Sequence, residues 1–251
     1  MSIPLRLFPL LIGFGASLGL WRIYRSTKPG QALSGVLTGL WVLCGAGVGG
    51  RVGYVLIHHN YFSSYPEETV RFWQGGLNAF GVAAGALLFS SMAAILLRQK
   101  LWNLLDRVSL MTAPIGIATW LGLWGEGIAY GKALTASSLR GIPVPDESGI
   151  IISRFPLQIV AGISLLASLL LVEKLTRKKR AGIRFAFIGS ILSVHTAVFS
   201  MLRADPVAPL WGERSDTWLS ILFSVLFIVL GILLMLTKEN RAKIEKGEEW
   251  I

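Results

Sequence analysis

Apolar residues fall into seven blocks separated by short polar stretches, and each block is near the ~20 residues a helix needs to cross a bilayer. The blocks run Leu5–Leu20, Leu33–Ile57, Leu77–Leu97, Val108–Tyr130, Phe155–Val172, Phe185–Leu202 and Trp218–Leu236. The pattern predicts an all-α, polytopic membrane protein with seven transmembrane helices. Pro4 and Pro9 suit a helix start or a broken entry in the first block, and Pro114 predicts a kink or interruption in the fourth. No internal repeat and no long soluble segment is visible. Residues 1–237 therefore read as one seven-helix transmembrane domain, and 238–251 as a charged cytoplasmic tail. The amino terminus has only Arg6 before its apolar run and no evident small-residue cleavage site, so it reads as a retained span.

The polar positions between the blocks set the expected orientation. Sixteen of the 24 Lys and Arg residues lie after the first, third, fifth and seventh blocks, seven lie on the other side, and Arg51 is inside a block. Basic residues gather in cytoplasmic loops. The bias predicts an amino terminus outside and a carboxyl terminus in the cytoplasm, which an odd number of spans also requires. The outer linkers are the longer ones. The first, 60–76, holds Tyr61, Phe62, Tyr65, Phe72 and Trp73, an aromatic set suited to the headgroup level.

Composition agrees. The chain has 251 residues, of which 53% are hydrophobic, which excludes an ordinary soluble domain. The net charge of +10 is accounted for by the basic inner linkers, and no basic patch with aromatics on a soluble surface suggests nucleic acid. Cys44 is the single cysteine. It allows no intramolecular disulfide, and it reads as packing rather than a nucleophile. No Cys/His metal cluster is present and no cofactor is implied.

Three ionisable residues lie at depth. Arg51 is surrounded by Gly45, Gly47, Gly49, Gly50 and Gly53 and falls about 13 Å below the outer end of its span. His195 falls about 12 Å below the outer end of the sixth. Glu126 is expected five residues before the end of the fourth. A charge in a span is costly and usually faces a bundle interior or a wet cavity. Arg51 therefore either lines a polar cavity, where its forked donors suit a phosphate, or holds backbone carbonyls and helix ends. Pairing of Arg51 with Glu126 is a further way to carry both charges. Arg154 and Arg203, at the outer mouths, are additional anion-binding candidates.

Several segments together resemble the bacterial prolipoprotein diacylglyceryl transferase family. Gly49-Gly-Arg-Val-Gly-Tyr-Val-Leu56 is similar to its second span, and Arg71-Phe-Trp-Gln-Gly-Gly76 to its Trp-Asp-Gly-Gly segment. Asp106 stands fourteen residues before Trp120, in the family's register for an aspartate ahead of its signature. That signature reads roughly Gly-Arg-Leu-Gly-Asn-Phe-Ile-Asn-Gly-Glu-X-X-Gly, and Trp120–Gly131 aligns to it without gaps from the arginine onward. Arg154-Phe-Pro-Leu-Gln158 resembles the Pro-X-Gln segment, and Leu202-Arg-Ala-Asp-Pro206 the end of the sixth span. The departures are also specific. Trp120 replaces the signature arginine, Leu123 and Glu126 its asparagines, and Ile128 its glutamate. Phe80 replaces a histidine, Leu7 falls near a first-span tyrosine, and Thr196 and Ser200 fall near the sixth-span arginine and glutamate.

The resemblance implies a protein of the bacterial plasma (inner) membrane with an outer-leaflet phospholipid cavity. The family moves a diacylglyceryl group from phosphatidylglycerol to a cysteine thiol of a lipoprotein precursor, releasing glycerol phosphate. That reaction needs a base to form thiolate and cations for the departing phosphate. Glu126 and His195 are the catalytic candidates here, in positions the family does not use. Arg51, Arg203, Arg154, Gln158, Gly75 and Gly76 are the implied headgroup-binding set. The partners are a phosphatidylglycerol-like phospholipid and a lipoprotein precursor. The alternative is a catalytically inactive descendant, binding lipid or serving as a structural subunit beside other membrane subunits.

Overall fold

The computed structural model describes residues 7–134, 141–145, 149–206, 209–210 and 213–236. Arg6, Arg140, Asp146, Glu147, Trp211 and the charged tail fall outside the described residues. Nine α-helices are described: α1 (Leu7–Ser26), α2 (Ala32–Ile57), α3 (His59–Ser64), α4 (Ala79–Leu96), α5 (Leu101–Val108), α6 (Thr112–Gly125), α7 (Leu157–Thr176), α8 (Ile183–Leu202) and α9 (Ser215–Leu236). Seven segments are long and apolar enough to cross a membrane, with α5 and α6 together forming the fourth. The chain is thus an all-α, polytopic membrane protein. Two short antiparallel hairpins, β1 (Ile142–Pro145) with β2 (Ile151–Arg154) and β3 (Pro209–Leu210) with β4 (Glu213–Arg214), punctuate the long linkers.

The chain divides into two compact units, residues 20–108 and residues 1–19 with 109–251. The first is built on an antiparallel pair, α2 and α4, whose seam is glycine against glycine. A Cβ on Gly49 would lie 2.6 Å from the Gly85 Cα and would collide with the Gly81 carbonyl, and one on Gly81 would collide with the Gly49 carbonyl. In lipid, helices gain little from apolar contact alone, so backbones that approach this closely contribute dispersion that larger residues would forbid. Trp41 and Phe89 stack beside the seam, 4.9 Å between centroids. The short α5 buries Leu104 and Leu105 and packs Leu104 on Ala93 and Ala94 of α4.

In the second unit, the start of α1 lies on α6, where a Cβ on Gly15 would meet the Pro114 carbonyl and Ala118. Ala113, Leu165, Leu169, Val172 and Ile188 form the core where α6, α7 and α8 meet. A Cβ on Gly189 would collide with the Phe227 ring, so α8 and α9 also pack closely.

Span boundaries shift from the sequence pattern, most of all in the fourth span. The fourth span does not run Val108–Tyr130. It is interrupted by a 3-10 turn, Ser109–Met111, and Pro114 sits in the first turn of α6, where its missing N–H costs no helix bond. The helix then stops at Gly125. Gly127 takes φ +66°, its N–H donates to the Trp124 carbonyl, and the Ile128 N–H donates to the Leu123 carbonyl at 2.9 Å. That pairing is a Schellman stop, which satisfies the last carbonyls of the helix. Glu126 therefore caps α6, exposed to solvent or headgroups, rather than lying five residues inside a span. In addition, α1 continues to Ser26, taking Arg22 and Arg25 into the helix.

Candidate functional site

The most connected of the anticipated residues is Arg51. It is 4% exposed. Its guanidinium meets backbone oxygen on three sides. Nε donates to the Thr69 carbonyl at 2.8 Å, Nη1 to the Gly75 carbonyl at 2.6 Å and more weakly to that of Gly76 at 3.4 Å, and Nη2 to the Glu68 carbonyl at 2.5 Å. Its carbon end lies 5.2 Å from the Phe62 centroid and 5.7 Å from that of Tyr54, giving cation–π contact as well. The double glycine serves this arrangement. Gly75 and Gly76 take φ +89° and +82°, and a Cβ on Gly76 would lie 2.6 Å from the Tyr54 ring. A non-glycine pair could not present these two carbonyls to the arginine. Of the two sequence readings, the one with carbonyl partners describes Arg51. The loop it holds also carries Tyr61, whose hydroxyl donates to Glu68 Oε2 at 2.6 Å, while Arg71 Nη1 lies 3.2 Å from Glu68 Oε1. The bond to Glu68 raises the Tyr61 phenol above its ordinary value of 10.0.

The other anticipated residues belong to the second unit. There the strand-like segment after α6 ties three helix ends together. Gly131 pairs with Arg203, Ala133 pairs with Arg154, and the Ala204 N–H donates to the Tyr130 carbonyl at 2.9 Å. Gln158, 1% exposed, donates from Nε2 to the Ile128 carbonyl at 3.1 Å. Arg154 is buried with its guanidinium carbon 4.1 Å from the Tyr130 centroid. Both side chains thus brace the segment after α6.

Arg203 joins a charge network that sequence reasoning did not assemble. Its Nε donates to Asp205 Oδ1 at 2.8 Å, its Nη2 pairs with Asp205 Oδ2, and its Nη1 lies 3.4 Å from Asp216 Oδ2. Arg214 lies 3.2 Å from Asp216 Oδ2 and donates to the Asp205 carbonyl. Ser200 donates to Asp216 Oδ1 at 2.6 Å, and Thr217 donates to Ser200 at 2.8 Å. Two guanidinium groups face two carboxylates. The signal that could have revealed it is the alternation of sign at 203, 205, 214 and 216, on either side of one helix-to-helix connection.

Around Trp120 lies an aromatic cluster. Trp120 lies 6.1 Å from the His195 ring and 5.9 Å from that of Phe199, and His195 stacks on Phe199 at 4.2 Å and 23°. Leu157 and Ala161, both fully buried, close it on the α7 side. His195 is 9% exposed, and its Nε2 lies 3.1 Å from Ser164 Oγ, which also reaches the Ala161 carbonyl at 3.2 Å. Ser164 had no signal in the sequence, being one serine in an apolar helix. Among the described residues, no group of three or more His, Cys, Asp and Glu is arranged to hold a metal ion.

Comparison with known proteins agrees with these landmarks. Residues 1–237 match the sequence profile of the family described as prolipoprotein diacylglyceryl transferase. The chain is similar to the phosphatidylglycerol–prolipoprotein diacylglyceryl transferase of Anaplasma marginale (strain Florida), with 27% identity over 98% of this chain and 88% of that protein. It is similar to the protein of the same name from Rhodopseudomonas palustris, with 28% identity over 81% and 72% of the two chains. With that from Bacillus velezensis, identity is 30% over 55% and 52%. The bacterial relatives and the seven apolar helices make this a multi-pass plasma-membrane protein. The family match over residues 1–237 establishes that the chain belongs to the prolipoprotein diacylglyceryl transferase family.

Proposed function

We propose that this chain is a non-transferring member of its family, a plasma-membrane protein that keeps the scaffold as a lipid-binding or structural subunit and has lost diacylglyceryl transfer. The observation that carries the reading is the Trp120–His195–Phe199 cluster. Transfer needs cations that stabilise a departing phosphate and a base that makes thiolate. Where the family's signature carries an arginine, the Trp120 ring packed edge-on against the His195–Phe199 stack and the aliphatic groups of Leu157 and Ala161 fill the space. The cations that remain are engaged elsewhere. Arg51 spends Nε, Nη1 and one Nη2 donor on carbonyls, and Arg203 is neutralised by Asp205 and Asp216. In this reading Arg51, Gly75 and Gly76 act as a loop clamp, and Arg154 and Gln158 as braces. Residues 1–237 work as one membrane domain with the amino terminus outside, and 238–251 as a charged cytoplasmic tail.

The test pairs genetics with chemistry. In a strain depleted of its own transferase, expression of this chain leaves prolipoprotein unmodified and growth unrescued. Purified protein with phosphatidylglycerol and a lipobox peptide yields no lipidated peptide. Rescue, or product above a protein-free control, overturns the proposal.

One observation favours a second reading, a divergent transferase acting on phosphatidylglycerol and a lipoprotein precursor. His195 Nε2 lies 3.1 Å from Ser164 Oγ, whose own proton goes to the Ala161 carbonyl, so Nε2 donates and the buried Nδ1, with no hydrogen-bond partner among the described residues, is the ring nitrogen that can accept a proton. In that reading His195, or the exposed Glu126, makes the thiolate, and Arg154, Gln158, Gly75, Gly76, Arg51 and Arg203 handle the headgroup. Activity abolished by His195→Gln and retained by Glu126→Gln would assign the base to His195.

A further inference from the structure

The turn between α4 and α5 carries an anomaly unrelated to the family signature. The Arg98 N–H donates to the Ile95 carbonyl at 3.2 Å and the Gln99 N–H to the Ala94 carbonyl at 2.9 Å. That is a Schellman stop, with Arg98 in the left-handed position that glycine ordinarily occupies. Arg98 has φ +50° and is exposed. A residue with a Cβ is strained there, and glycine would not be. The backbone needs no arginine, so the side chain is what the position retains.

That side chain stands at the rim of a groove. An open cavity of about 290 Å³ is lined by Ser91, Ala94, Ile95, Arg98, Gln99 and Leu101. Its walls are mainly apolar, and Ile95 is 77% exposed. Its mouth carries Arg98 and the Gln99 amide, with Lys100 next in the chain and exposed. Within the same unit the antiparallel pairing of α2 and α4 brings this turn to the end where Lys28 and the last turn of α1, with Arg25, also lie. An apolar wall beside Arg98, with Lys100 two residues on, at a helix terminus matches one kind of molecule, an amphiphile with an anionic head.

We propose that the α4–α5 turn binds an anionic phospholipid, with its phosphate at Arg98 and Lys100 and one acyl chain along Ala94, Ile95 and Leu101. The site lies at the opposite end of the α2–α4 pair from the Arg51 loop. It stands whether or not the chain transfers lipid.

Arg98→Gly separates ligand from fold, since glycine suits the backbone and removes only the side chain. The full-length protein, purified in neutral detergent, is titrated with dioleoylphosphatidylglycerol, dioleoylphosphatidylcholine or glycerol phosphate, and bound species are counted by native mass spectrometry. The parent is expected to bind phosphatidylglycerol at least fivefold more tightly than phosphatidylcholine. Arg98→Gly should weaken phosphatidylglycerol about fivefold, as expected for one cation at a membrane surface, with thermal stability equal or higher. Lys100→Ala should add to the loss. Equal binding of the two lipids by the parent overturns the proposal. So does undiminished phosphatidylglycerol binding by Arg98→Gly, or glycerol phosphate binding as well as the lipid.

Discussion

Replacing Arg51 with methionine tests whether the loop between α2 and α4 is held by one side chain. Arg51 supplies three short charge-assisted hydrogen bonds, at 2.5, 2.6 and 2.8 Å, to carbonyls of Glu68, Gly75 and Thr69. Bonds of this kind contribute roughly 1.5–3 kcal/mol each, so the gross value is about 4.5–9 kcal/mol. Part returns on opening, because the freed carbonyls sit in a linker that water can reach, and methionine keeps much of the apolar contact with Phe62 and Tyr54. The net loss is about 3 kcal/mol, or about 150-fold in the equilibrium for opening the loop.

Hydrogen exchange with mass spectrometry reads this directly, on protein in nanodiscs. The Gln74 and Gly75 amides, bonded to the Arg71 and Phe72 carbonyls, should exchange about 100-fold faster in Arg51→Met, while α9 peptides keep parental rates. Arg51→Lys should fall between, since an ammonium has three donors but lacks the planar fork that meets separate carbonyls. Loop exchange within threefold of the parent in Arg51→Met would refute the clamp. A faster α9 would show general unfolding instead.

The other expectations concern packing and charge. Gly49→Leu should cost about 3 kcal/mol or more, because the added atoms meet backbone that cannot yield, whereas Gly47→Ala should be nearly neutral, since a Cβ there meets nothing within 4 Å; melting temperatures in detergent separate the two. Trp120→Ala should lower stability by roughly 3–5 kcal/mol without creating activity, a result measured by melting and by lipobox-peptide lipidation. Asp216→Asn leaves Arg203 and Arg214 sharing one carboxylate and should cost about 3 kcal/mol, visible as a lower melting temperature. Tyr61 has its phenol raised by the bond to Glu68, so its contribution to the loop is present below pH 10 and lost as pH rises through the raised value; ultraviolet titration should show one late-ionising tyrosine that Glu68→Gln moves earlier.

What could be read from the sequence follows physical range. The seven spans were legible because the bilayer imposes one length and one composition on each, and all seven recur with boundary shifts. Of the glycines around Arg51, Gly45 and Gly49 lie on the close seam with α4. The end of α6 was not legible from hydropathy, which continues through Ile128, Ala129 and Tyr130. The stop is set by Gly127 in a left-handed conformation, and the Gly-Glu-Gly motif held that signal. The partners of Arg51 were beyond reach for a different reason. Backbone carbonyls are the same in every residue, so no side-chain pattern announces them. The charge network of Arg203, Asp205, Arg214 and Asp216 depends on a connection whose two ends meet only in three dimensions.

The distribution of charge links fold to function. In lipid, a buried cation must have a local counterpart, and this chain meets that demand in two ways. Arg51 is met by carbonyl dipoles, which cost no second charge and leave the guanidinium formally positive. Arg203 and Arg214 are met by carboxylates, which cancel them. Only the first kind retains a field that an added phosphate would feel, but its donors already point at Glu68, Thr69, Gly75 and Gly76. A phosphate taking the Nε or Nη1 donors of Arg51 would displace a carbonyl, loosening the loop that the same bonds hold closed. Loop order and headgroup binding at Arg51 are therefore in competition, so phospholipid should loosen the 68–76 backbone if it binds there and leave it unchanged if it binds elsewhere. Protection of the Gln74 and Gly75 amides, compared in phosphatidylglycerol and phosphatidylcholine nanodiscs, distinguishes the two. The carbonyl bonds already made by Arg51 predict no difference.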